Sequence, residues 1–171
     1  MKNIFLVYDN CCFYEIVILS YFMKFTGQET ALCSVDGKEI NCMEGYSINV
    51  DMALNDVNIN DVKCLIITGG DISSINNKSV HDFIKKLVDK GAIISAICAG
   101  VDVLDDAGIL DGIKSTHSED TDVSNDKNII TARANAYVDF AIEVAKKLDL
   151  FEDENDLQET IDFWKYHKRV Q

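Results

Sequence analysis

The sequence contains no proline, few basic residues and no apolar segment long enough to cross a membrane. Sixteen Lys and Arg residues stand against 29 Asp and Glu residues, which gives a formal net charge of −13. Because such a chain repels phosphate backbones and anionic lipids, we predict neither a nucleic-acid nor a membrane partner. The apolar start at 3–7 breaks at Tyr8 before the core of a signal peptide is complete, which predicts a cytoplasmic location.

The cysteines form neither a paired zinc-binding pattern nor the regular framework of a small secreted protein. We therefore expect reduced thiols and no metal site, with packing as the ordinary role of the adjacent Cys11 and Cys12. The six cysteines are Cys11, Cys12, Cys33, Cys42, Cys64 and Cys98.

Length and composition predict one domain over residues 1–171. The chain has 47% apolar and 26% charged residues, which is typical of a soluble globular protein. We find no internal repeat, linker or low-complexity tract that would divide it.

Short apolar runs alternate with segments of helical periodicity, which predicts the α/β class with a mostly parallel sheet and helices on both faces. The segment 38–50 carries weaker strand signals and predicts a small hairpin. A short helix should follow Gly100 and end near Gly108. Strands are predicted at 3–8, 30–35, 62–67, 92–97 and 128–131, and the longer helices at 13–25, 78–90, 137–148 and 156–167.

The segment Ala96-Ile97-Cys98-Ala99-Gly100 places a thiol at the turn from a buried strand into a helix. Small residues two positions to either side permit the sharp turn of a nucleophile elbow. Backbone N–H groups and the helix dipole would there lower the pKa of Cys98. The alternative is that Cys98 is a small buried apolar residue.

Two further segments could complete a site around Cys98. The amides of Gly69, Gly70 and Ala99 could form an oxyanion hole, although a Gly-Gly pair also suits a plain tight turn. Glu15 lies at the start of the first helix, where an acid usually interacts favourably with the helix dipole. Its apolar surroundings could instead keep the carboxyl protonated, so that it donates to a thiolate or moves a proton.

Of the three histidines, His81 and His167 fall on polar helix faces and should lie at the surface. His117 follows the Cys98 helix by a short connection and could return its imidazole to the thiol. A polar loop histidine is the alternative. We therefore take Cys98, Glu15 and His117 as candidate catalytic residues.

The order of these motifs resembles the ThiJ/PfpI superfamily, which includes a parkinsonism-associated deglycase-like family. The resemblance implies a flavodoxin-like three-layer sandwich, related to the class I glutamine amidotransferase domain and assembled as a homodimer. It also implies that Cys98 is the nucleophile or the site of peroxide oxidation, that Glu15 hydrogen-bonds it, and that His117 lies near it. The matching segments are Glu15, Thr68-Gly69-Gly70, Ala96-Ile97-Cys98-Ala99-Gly100, 107–112, Thr116-His117 and Thr131-Ala132-Arg133.

Two departures narrow the activities that the resemblance implies. Protease-like members carry histidine after the nucleophile, where this chain has Ala99, so an adjacent Cys-His dyad is not expected. Glu15 in place of aspartate favours glyoxalase-like and sensor branches over isocyanide hydratases.

The leading hypothesis is a cysteine-dependent enzyme that acts, without metal or organic cofactor, on a small reactive carbonyl substrate. A redox sensor with an oxidisable Cys98, an amidase or other hydrolase, and a homologue with a vestigial site are the alternatives.

Overall fold

The computed structural model describes residues 1–169 and contains a seven-stranded sheet with helices on both faces. The strands are β1 (Lys2–Leu6), β2 (Thr30–Ser34), β3 (Ile40–Asn41), β4 (Ser47–Ile48), β5 (Met52–Ala53), β6 (Val62–Ile67), β7 (Ile93–Ile97), β8 (Val123–Asp126) and β9 (Ile129–Ala132). The α-helices are α1 (Tyr14–Phe25), α2 (Lys78–Asp89), α3 (Gly100–Asp106), α4 (Tyr137–Lys147) and α5 (Glu154–Trp164).

The strand order in the large sheet is β5-β2-β1-β6-β7-β9-β8. Every neighbouring pair is parallel except β8 and β9, which pair antiparallel. The central strands are buried on both faces, as expected for a parallel sheet covered by helices. Helices α1, α4 and α5 pack together in one layer, and α2 and α3 pack against each other and against β7. The predicted α/β class and flavodoxin-like sandwich are confirmed.

The first helix is capped from a distant segment. The backbone N–H groups of Phe13 and Tyr14 donate to the carboxylate of Glu44, at 3.3 and 2.7 Å. Glu44 lies between β3 and β4, the small antiparallel hairpin that the sequence predicts. An acid at a helix N-terminus satisfies free N–H groups and favours the helix dipole, so the hairpin holds the start of α1 and thereby Glu15.

Helix α2 shows how local sequence and packing agree. The side chain of Asn77 accepts from the backbone N–H groups of Ser79 and Val80 and caps its start. Its buried face then packs on the sheet through Val80, Phe83, Ile84 and Leu87. Each such side chain contributes roughly 1.5–3 kcal/mol when fully buried.

The strand prediction missed β5 and β8. Strand β5 has two residues and lies at one edge, and β8 (Val-Ser-Asn-Asp) lies at the other and is mostly polar. Edge strands need not be apolar on both faces, which removes the signal that finds central ones. The last helix begins at Glu154 and ends at Trp164, slightly before the predicted range.

Within residues 1–169, none of the helices has both the length and the apolar character of a transmembrane segment.

Candidate active site

Cys98 lies directly after β7, at the carboxyl edge of the parallel sheet where ligand sites of this architecture gather. Its φ of 58° is in the left-handed region, which is unfavourable for a residue with a side chain. The Cys98 N–H donates to the carbonyl of Ala132 on β9 at 3.0 Å, which holds this turn against the sheet. Cys98 therefore has the strained backbone of the predicted elbow, and its side chain is half-buried.

The elbow requires a small residue at Gly100. A Cβ placed there would lie 2.7 Å from the carbonyl oxygen of Ile67, at the end of β6. The first turn of α3 therefore packs directly on the backbone of the neighbouring strand.

Glu15 on α1 is buried, with 1% of its surface exposed. Its Oε2 accepts from the Gly69 N–H at 2.7 Å and lies 3.1 Å from the Thr68 hydroxyl. Its Oε1 is also buried and has no hydrogen-bond partner among the residues described. Burial raises the pKa of Glu15, against the smaller opposing effect of hydrogen bonds from Gly69, Cys98 and Thr68.

The carboxyl of Glu15 and the thiol of Cys98 meet beside Gly69. A Cβ placed on Gly69 would lie 2.7 Å from Cys98 Sγ and 2.9 Å from Glu15 Oε2. Only the absence of that atom allows the two side chains to approach. The site therefore depends on glycine at this position.

The structure corrects the expectation that the elbow lowers the pKa of Cys98. Burial and the negative charge of Glu15 raise its pKa, and hydrogen bonds from the backbone N–H groups of Ala99 and Gly70 only partly oppose this. Two neighbouring groups with raised pKa values resist ionising together, so the pair tends to keep one shared proton. A Cys98 thiolate is then favoured when Glu15 carries that proton.

The three N–H groups predicted to form an oxyanion hole differ in their surroundings. The N–H groups of Gly70 and Ala99 act to lower the pKa of Cys98, as donors to a negative charge at this position would. The Gly69 N–H instead donates to Glu15 Oε2, so it is not free to bind an oxyanion. Gly69 orients the acid, and the role of Gly70 and Ala99 as oxyanion donors stays a prediction.

His117 lies in a turn after α3, packs against that helix and is not joined to the thiol. Its Nδ1 lies 3.1 Å from Asp105 Oδ2, and its Nε2 lies 3.3 Å from Asp102 Oδ1. Among the described residues, no hydrogen bond links His117 to Cys98. The two carboxylates lie one turn apart on α3 and occupy both ring nitrogens. Of the other histidines, His81 contacts Asn76 through Nε2 at 2.7 Å, and His167 is exposed.

Sequence reasoning missed the contributions of Thr68 and Cys12. The Thr68 hydroxyl lies 2.6 Å from the carbonyl oxygen of Cys12 and also contacts Glu15. Cys11 is fully buried, in agreement with a packing role, whereas Cys12 is half-buried. A hydroxyl residue between a buried strand and a Gly-Gly pair was the available signal for Thr68. Residues 1–169 present no group of three metal-ligating side chains.

The fold and this cysteine elbow define a class of flavodoxin-like proteins with a thiol at the sheet edge. Residues 1–147 match the DJ-1/PfpI family, and the chain belongs to that family. A Thermococcus kodakarensis protein named as a deglycase is 31% identical over 119 residues, which cover 68% of this chain and 71% of that protein. A Pyrococcus furiosus protein, also named as a deglycase, is 29% identical over 119 residues, which again cover 68% of this chain and 71% of that protein.

Solved structures show the same fold. A DJ-1 superfamily protein from Agrobacterium tumefaciens has a TM-score of 0.86 at 21% identity, covering 98% of this chain and 100% of that one. A ThiJ/PfpI family protein from Bacillus anthracis has a TM-score of 0.86 at 24% identity, covering 98% and 91%.

Proposed function

We propose that this protein is a cysteine-dependent enzyme acting on a small reactive carbonyl such as methylglyoxal. The observation that carries the proposal is the strained backbone of Cys98, whose sulfur meets the buried Glu15 carboxyl beside Gly69. Relatives named as deglycases support an enzymatic role.

In the first step, the Cys98 sulfur adds to the aldehyde carbon. A carbon–sulfur bond forms, and the carbonyl π pair moves onto oxygen. The N–H groups of Gly70 and Ala99 stabilise this oxyanion. Glu15 then delivers the shared proton to the oxygen, which gives a hemithioacetal and leaves Glu15 as a carboxylate.

In the second step, Glu15 removes the proton from the former aldehyde carbon and returns it to the ketone carbon, while the hydroxyl proton of the hemithioacetal passes to the former ketone oxygen. The hemithioacetal carbon is thereby oxidised and the ketone carbon reduced, so the product is a lactoyl thioester of Cys98. Water hydrolyses the thioester to lactate and restores the thiol. The balance is one methylglyoxal plus one water, and these steps require no metal or organic cofactor.

Lactate formation from methylglyoxal tests the proposal. We expect activity in the wild type, none above background in Cys98→Ser, and a loss of about 10²-fold or more in Glu15→Gln, the range of general acid–base catalysis. Cys12→Ser, which changes a thiol outside the proposed steps, should retain activity. Equal rates in wild type and Cys98→Ser would overturn the proposal.

As a second candidate function, we propose a redox sensor in which peroxide oxidises Cys98. The buried Oε1 of Glu15 favours it, because this oxygen lacks a partner in the described residues and burial raises the pKa of the carboxyl. A protonated Glu15 could donate to an oxygen placed on the sulfur. Peroxide titration with peptide mapping should modify Cys98 before Cys11, Cys12 or Cys42, and simultaneous oxidation of all six cysteines would exclude a sensor.

We also propose that two copies pair through the outer face of α1. Tyr14, Val17, Tyr21 and Phe25 share one face of that helix and are all exposed, Phe25 to 79%. Such an apolar face favours a partner surface. Sedimentation equilibrium should show a dimer that Tyr21→Glu dissociates, and a monomeric wild type would refute the pairing.

A further inference from the structure

Access to solvent divides the cysteines into two groups. Cys11, Cys33, Cys42 and Cys64 are buried, with between 0% and 4% of their surface exposed. Cys98 and Cys12 are half-buried. An oxidant or a second thiol in solution can therefore reach these two side chains most readily.

The backbone of Cys12 and the side chain of Cys98 approach the same glycine, Gly69, and the Cys12 Sγ lies 3.8 Å from Met43 Sδ. The Cys12 N–H donates to the Gly69 carbonyl at 2.8 Å. A Cβ placed on Gly69 would lie 2.7 Å from Cys98 Sγ. The Thr68 hydroxyl also links the two segments, because it contacts both the Cys12 carbonyl and the Glu15 carboxyl.

The electrostatics agree with this proximity. Burial raises the pKa of Cys12 to about 11, and the charges of Glu15, Cys98 and Glu44 contribute. Cys12 is thus a protonated thiol at rest, close enough to feel charge on both members of the Cys98–Glu15 pair. Oxidation of Cys98 to an uncharged sulfenic acid removes its repulsion of a Cys12 thiolate.

We propose that Cys12 is the resolving cysteine of Cys98, closing an intramolecular disulfide after peroxide has oxidised Cys98 to the sulfenic acid. This inference rests on the proposed peroxide reactivity of Cys98. The disulfide protects Cys98 from irreversible oxidation and makes its modification reversible by thiols.

Two balanced steps lead to the disulfide. The Cys98 thiolate attacks one oxygen of the peroxide, the O–O bond breaks, and protonation releases water and leaves the sulfenic acid. The Cys12 sulfur then attacks the Cys98 sulfur and displaces hydroxide, which leaves as water with the proton from Cys12. Glu15 adjoins the Cys98 sulfur and can carry that proton. Cys12 lies in the loop between β1 and α1, so the closure requires no strand to move.

The experiment treats the whole protein, at low concentration, with hydrogen peroxide, blocks free thiols and maps the peptides. In the wild type we expect a cross-linked peptide containing Cys12 and Cys98, short of two hydrogens and cleaved by dithiothreitol. In Cys12→Ser, Cys98 should instead gain two oxygens. The fraction of Cys98 thiol recovered by dithiothreitol should then fall by about tenfold or more, because sulfinic acid resists thiols. Cys11→Ser, which changes the adjacent buried cysteine, should still form the cross-link.

The possible failures are distinguishable. If Cys98 gains two oxygens equally fast in wild type and Cys12→Ser, the resolving role is wrong and the peroxide reactivity of Cys98 stands. A disulfide from Cys12 to Cys11, or between two chains on a non-reducing gel, also overturns the inference. If Cys98 is unmodified in both proteins, the proposed peroxide sensor and the resolving role of Cys12 are both wrong. The wild-type peptide map decides the matter even if a variant fails to fold.

Discussion

Replacing Gly69 with alanine perturbs the point at which Cys98 and Glu15 meet. The new Cβ would lie 2.5 Å from Cys98 Cβ, 2.7 Å from its Sγ and 2.9 Å from Glu15 Oε2. Carbon atoms in contact prefer about 3.5–4.0 Å, so the side chains must separate by about 1 Å. Gly69 does not have a left-handed φ, so the cost arises from displaced neighbours and not from its own backbone.

The size of the effect follows from this crowding. Overpacking costs about 1–3 kcal/mol. In a protein of this length each kcal/mol lowers Tm by about 2–4 °C, so we expect a fall of about 2–12 °C. A misplacement of about 1 Å can cost about 10²-fold in rate, which is the loss of lactate formation we expect if Cys98 and Glu15 act as proposed.

Gly91→Ala is the matched control. A Cβ there has no neighbour within 4 Å, but φ is +77°, so the cost of about 1–2 kcal/mol is backbone strain far from the site. Both variants should melt earlier, and only Gly69→Ala should alter the peptide-resolved rate at which iodoacetamide alkylates Cys98. If Gly69→Ala keeps the Tm and the Cys98 alkylation rate of the wild type, the reasoning is refuted. It is also refuted if both variants change the alkylation rate equally.

Three further predictions concern the same site. Glu15→Gln removes the charge that raises the pKa of Cys98, so alkylation should begin at lower pH, and an unmoved profile would contradict the pairing. Burial raises the pKa of Glu15 above its ordinary 4.5, so its contribution to stability is complete below that value and is lost as pH rises through the folded-state pKa. Glu15→Gln should therefore gain Tm relative to wild type as the pH rises above 4.5, and a difference that is constant with pH would exclude this. His117→Ala removes contacts with Asp102 and Asp105, should cost at most about 1 kcal/mol and should leave Cys98 alkylation unchanged. Slower alkylation would place His117 in the chemistry.

Local pattern was sufficient for the class of fold and for the elbow. Buried parallel strands carry continuous apolar runs, and helices carry a different period, so the alternation predicted the sandwich before any contact was known. The small residues around Cys98 likewise anticipated a strained turn, since only such residues permit the close approach seen at Gly100. These properties depend on neighbours in the chain, which a sequence displays directly.

Tertiary structure alone decided what surrounds the thiol. The Gly69 N–H donates to Glu15 and is not free for an oxyanion. The imidazole of His117 contacts two carboxylates of α3. Cys12 lies beside Gly69 because the loop after β1 bonds to the loop after β6. The contacts of Gly69 with Glu15 and with Cys12 join residues far apart in the chain. They follow from strand order and register, which bring the carboxyl ends of β1, β6 and β7 to one edge of the sheet.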